Sequence, residues 1–205
     1  MSTPESRDGD EFIVARPHNG AMRRLLWLLV AGMILSSAPL SCQTAAASEG
    51  DRAWQALRPL AGEWTGTGGG GEPGEVSSSG MSFSYELHGR VLMRKSFTAF
   101  RATASRAAFQ HDDLTLIYPG DAGSAPRAIY FDDEGHSIEY TISVSGDGQR
   151  IECLSALRPD RPRFRFTYVF TGPDELKIRF EIAPPGQPEK YTTHVEGSAR
   201  RVVKK

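Results

Sequence analysis

Residues 163–183 carry a pattern that few folds satisfy. Phe164, Phe166, Tyr168 and Phe170 alternate with Arg163, Arg165, Thr167 and Val169. Across Gly172-Pro173-Asp174, Leu176, Ile178, Phe180 and Ile182 alternate with Lys177, Arg179, Glu181 and Ala183. Successive side chains on a strand point to opposite faces, so this hairpin has one wholly apolar face and one mostly charged face. An antiparallel sheet with one wet side requires that division.

The same period recurs along the chain. Phe83, Tyr85 and Leu87 alternate with serines and Glu86, and His88-Gly89 allows a bend before a strand at 91–100. Residues 101–110 read as a connection, followed by strands at 114–118 and 127–131. Ile138, Tyr140, Ile142 and Val144 alternate with polar residues, and Gly146-Asp147-Gly148 marks a tight hairpin into 149–156. Pro184 to Pro188 is a rigid loop, and 191–203 is the last strand. About ten strands joined by short turns predict an all-β, antiparallel up-and-down barrel, which closes and leaves no edges. A strand number of roughly eight to ten encloses a cavity for one small ligand.

The barrel has a short helical lead-in. Trp54, Leu57 and Leu60 share one helical face over 51–61, Asp51 suits the N-terminal end of the dipole, and Gly62 ends the helix. Such a helix is placed to cap the bottom of the barrel. The stretch from Gly62 to Gly71 then combines Trp64 with empty glycine positions, as a strongly coiled first strand needs. A phosphate-binding reading of this glycine run fails, because no Gly-Lys-Ser/Thr follows.

Residues 1–47 differ in character. Met22-Arg23-Arg24 precedes an apolar run from Leu25 to Leu35, the order of a secretory signal peptide, with the signal proper at 22–47. Met22 is a candidate start; an uncleaved anchor with a cytoplasmic tail is the alternative. Ala45-Ala46-Ala47 offers a cleavage site, and Pro39-Leu40-Ser41-Cys42 resembles a lipoprotein box. The expected address is the periplasm or cell envelope of a bacterium, with a membrane link through the signal segment or a lipidated Cys42. The folded domain is then 48–205.

Twenty-four basic and 25 acidic residues give a formal net charge of −1, which provides no electrostatic case for nucleic acid. Besides Cys42 there is one cysteine, Cys153, inside a predicted strand, where a thiol is commonly a small buried apolar group. Acidic runs at His111-Asp112-Asp113 and Asp132 to His136 read as turns and lack the spacing of a calcium loop. His88, His111, His136 and His194 show no zinc-like spacing, and no nucleophile elbow is present. No catalytic or metal site is expected.

Gly62-Glu63-Trp64-Thr65-Gly66-Thr67-Gly68 resembles the Gly-x-Trp-x-Gly-x-Gly signature of nitrobindin-like proteins, ten-stranded calycin-like barrels related in shape to lipocalins and fatty-acid-binding proteins. The end, His194 to Val202, is loosely similar to their closing strand, and the segments 129–136 and 196–201 look like those of uncharacterised exported bacterial proteins of this fold. The resemblance implies a basic side chain of the last strand over Trp64. By parity with Val195 that side chain is Arg201, with Arg200 as the alternative. It also implies His194 as a ligand to haem b, although strand parity puts His194 on the outer, polar face.

The expected function is non-catalytic holding of a small apolar or amphipathic ligand, without a cofactor. Phe83, Tyr85, Tyr140, Phe166, Tyr168 and Phe180 are the candidate interior contacts. A haem protein with nitrogen-oxide chemistry and a structural envelope protein with a filled barrel are the alternatives.

Overall fold

A computed structural model describes residues 47–69 and 76–203. Residues 22–46 of the signal segment, Cys42 among them, lie outside the described residues, as does the end of the glycine run.

The lead-in begins with a capping box. Ser48 Oγ accepts from the Asp51 amide, and Asp51 accepts in turn from the Ser48 amide. Helix α1 therefore runs Glu49–Ala56, starting earlier than the sequence alone suggested because Ser48 supplies the cap. It also stops earlier. Pro59 has no amide for the Gln55 carbonyl and crowds it, so the chain tightens into a 3-10 turn over Arg58–Leu60. Leu57 and Leu60 are completely buried, and Trp54 meets Tyr85 edge-on at 5.8 Å.

Ten strands follow: β1 Gly62–Gly69, β2 Val76–Glu86, β3 Val91–Phe100, β4 Phe109–Tyr118, β5 Arg127–Asp132, β6 Ser137–Val144, β7 Arg150–Ser155, β8 Arg163–Gly172, β9 Glu175–Ala183 and β10 Thr192–Arg201. Each pairs antiparallel with its neighbours in sequence, and β1 pairs with β10 to close the barrel. The closed end is filled by Leu57, Leu60, Trp64, Phe83, Leu92 and Leu176.

Four details depart from the sequence reading. Gly62 opens β1 instead of ending a helix, with φ at +123°. Leu87 leaves the strand, sits at φ +49° and is 70% exposed; the turn before β3 begins one residue earlier than the alternation indicates. Phe109 and Gln110 belong to β4, because the Phe109 ring stacks on Phe100 across the ladder at 4.5 Å. His111-Asp112-Asp113 lies within that strand and not in a turn, since β3 supplies its ladder partners Thr98, Phe97 and Ser96.

Candidate functional site

Above the closed end the barrel holds a cavity of about 660 Å³. A wall of Phe166, Tyr168 and Phe180 comes from β8 and β9, and Tyr140 of β6 joins it. Phe166 lies 4.9 Å from Tyr168 and 6.1 Å from Phe180, ring centre to ring centre. The inward period-two face of the 163–183 hairpin places these rings together.

Strands β3 and β4 contribute a polar wall. Arg94 Nη1 donates to Asp113 Oδ1 at 2.7 Å, and the two side chains are only 8% and 10% exposed. Ser96 Oγ donates to the other carboxylate oxygen. Register explains the cluster: Ser96 stands opposite Asp113 and Arg94 opposite Thr115, so all four share the inner face. The Arg94 guanidinium carbon lies 5.3 Å from the centre of the Phe166 ring. Burial opposes its charge, and its neighbours, Tyr168 and Asp113 first among them, more than offset that.

Cys153 is buried on the cavity wall. Burial pushes its thiol up to about 12, although Arg94 pulls the other way. Burial likewise raises the phenols of Tyr140 and Tyr168.

The β5–β6 turn forms part of the rim. Asp132 accepts from the amides of Glu134 and His136 at 3.1 and 2.8 Å, and from the Tyr130 hydroxyl at 3.3 Å. His111 Nδ1 lies 3.1 Å from Asp133, which ties the turn to β4. Among the described residues no group of three or more histidine, cysteine or acidic side chains is arranged to hold a metal ion.

No family model matches this chain. No curated protein matches it either. Among solved structures it is similar to the crystal structure of Rv2717c from M. tuberculosis, at 21% sequence identity and a TM-score of 0.49, over 74% of this chain and 98% of that one.

The expected interior residues divide into two groups. Tyr140, Phe166, Tyr168 and Phe180 line the cavity. Phe83 and Tyr85 face inward but are not part of its lining: Phe83 packs edge-on against Tyr168, and Tyr85 meets the helix through Trp54. Over Trp64 stands Arg201, its guanidinium carbon 4.2 Å from the ring centre, while Arg200 points outward to Glu175 at 2.9 Å.

His194 requires a correction. Thr193 pairs with Glu181 and Val195 with Phe180, so His194 is the extra residue of a bulge. Simple alternation assigned it to the outer face, but the bulge brings it to the cavity, edge-on to Phe180 at 6.0 Å, although the residue as a whole stays exposed. The Arg94–Asp113 pair escaped the sequence reading altogether. The available signal was the polar run inside β4, which pairing with β3 turns into an inner-face carboxylate.

Proposed function

We propose that the protein is an exported, lipocalin-like barrel that holds one small amphipathic molecule without chemistry. The observation that carries this reading is the cavity itself: about 660 Å³, walled by aromatic rings and served by one buried polar cluster. Ligand pockets of this kind are concave, mainly apolar and fixed by a few placed polar groups. The same volume argues against the filled-barrel reading. The raised Cys153 thiol stays protonated at neutral pH, which removes the cavity's one thiol as a nucleophile.

Native mass spectrometry of protein from its own host should show a bound small molecule, and a neutral naphthylamine probe should enter the cavity of the emptied protein. Phe180→Ala should weaken the probe several-fold. A chain that carries no ligand and admits no probe would sink the proposal. N-terminal sequencing should place the mature end near Ser48 or at a lipidated Cys42; full-length chain in the cytoplasm would refute export.

A second reading rests on the bulge that brings His194 to the cavity wall. There His194 would be the residue to hold haem b through its imidazole, and the haem would bring nitrogen-oxide chemistry. Haemin titration separates the two. A stoichiometric Soret band lost in His194→Ala supports haem; weak, His194-independent absorbance supports the first reading.

A further inference from the structure

We propose that Arg94 anchors an uncharged hydrogen-bond acceptor, a carbonyl, amide or hydroxyl oxygen, at the inner end of the bound molecule. The inference rests on the ligand-holding reading above and names the chemistry of its polar end.

A guanidinium presents five N–H donors in a fixed fork. Among the described residues, the Arg94 guanidinium has one hydrogen-bond partner, Asp113 through Nη1. Its Nε is shut away from solvent and has no partner. Nη2 has no hydrogen-bond acceptor among the described residues, and the side chain lines the cavity. Nε is out of reach of any ligand as well, so the inference rests on Nη2: a charged donor without an acceptor on a cavity wall points to an acceptor supplied from outside the chain. Tyr140 and Tyr168 line the same cavity, and each carries a hydroxyl able to donate. The aromatic wall receives the rest of the molecule.

Charge decides what kind of acceptor fits. Arg94 is already balanced by Asp113 at 2.7 Å, so this inner cluster carries no net charge. A carboxylate or phosphate placed there would leave a negative charge uncompensated beside a pair whose side chains are only 8% and 10% exposed, where unpaired charge is disfavoured. A carbonyl or hydroxyl oxygen accepts the same N–H groups without that penalty. The ligand class is therefore a neutral amphipath with an oxygen-bearing head, such as a fatty amide, ester or alcohol.

The test is displacement of the neutral naphthylamine probe by decanamide, decanoate and decane at neutral pH, on the full mature chain. The wild type should prefer decanamide over both others by about tenfold or more. The double variant Arg94→Met with Asp113→Asn keeps the site neutral; measured against its own probe affinity, it should lose the preference for decanamide over decane. Decanoate binding as tightly as decanamide would overturn the uncharged assignment. Equal displacement by decanamide and decane would remove the anchor while leaving the ligand-holding reading intact. A variant that keeps the amide preference would also overturn the role of Arg94. Failure of all three to displace, or of the probe to bind, would bring down both readings. Should the variant fail to fold, the wild-type ranking alone decides.

Discussion

One guanidinium, that of Arg201, holds three parts of the chain together. It covers the Trp64 ring, donates to the carbonyls of Pro59 and Ala61 at 2.6 and 2.7 Å, and reaches Asp174 in the β8–β9 turn at 3.0 Å. Gly62 leaves the space for this: a Cβ there would approach Arg201 Nη1 to 3.0 Å, at a φ that other residues rarely adopt. Trp64 also donates its indole N–H to the Leu60 carbonyl at 2.8 Å. Trp64→Ala should therefore cost about 3–5 kcal/mol, as large aromatic truncations in a core do. Arg201→Met should cost less, about 1.5–3 kcal/mol, from lost cation–π contact and charge-assisted hydrogen bonds. Urea denaturation of the two variants measures both, and an unchanged midpoint for Trp64→Ala would show that the ring does not seal the floor. Parity along the last strand was enough to read Arg201 in preference to Arg200. Nothing comparable marked Arg94: the run 91–100 mixes polar and apolar residues without clean alternation, and its partner Asp113 is identified only by ladder register.

At the scale of the element, strands were read where one face is uniformly apolar and misjudged where polar residues turn inward. β8 and β9 show the first case. β4 shows the second, its outer half Phe109-Gln110-His111-Asp112-Asp113 looking like a loop until β3 is laid beside it. β10 shows a third case, since a bulge adds one residue and changes which side chains share a face beyond it. The outer surface of β8 and β9 has its own fastening. Arg165 donates twice to Glu181, at 2.8 and 3.0 Å, and its guanidinium stacks 3.8 Å from the Tyr191 ring, just past the proline-rich loop. The hydrogen bonds from Arg165 hold the Glu181 carboxyl below its ordinary range, against the opposing effect of burial. A carboxyl whose folded-state pKa is depressed stabilises the fold above its unfolded pKa, near 4.3 for glutamate. That stability is lost as pH falls through the folded value. Glu181→Gln should therefore be less stable than wild type at pH near 7, and the gap should shrink below about pH 4. Thermal melts across that range measure it; a pH-independent gap would show that the ion pair contributes nothing.

The whole molecule was more legible than its site. Turn signals every few residues and a period of two are local, and a meander needs nothing else to be drawn. Whether the barrel is hollow depends on how its inward side chains fill the volume, and the same apolar faces would serve a solid interior. The closed end owes its plug to residues from opposite ends of the domain, Leu57 and Leu60 before the first strand and Arg201 at the end of the last.

The seam between β1 and β10 joins segments at the two ends of the barrel's sequence, Trp64 opposite Arg201. Every other strand pair forms between neighbours and can assemble as the chain emerges. The seam cannot, because β10 arrives last, and until then β1 and β9 each present an unpaired edge able to recruit another chain. A chain ending before Thr192 should therefore collect in the insoluble fraction despite retaining nine strands, and adding residues 192–203 as a separate peptide during refolding should restore soluble protein. Soluble, monomeric truncated protein would show instead that the meander protects its own edges. On this account the barrel wall stays open until β10 is made, and any molecule to be held has an open-sided partner until residues 192–201 are in place.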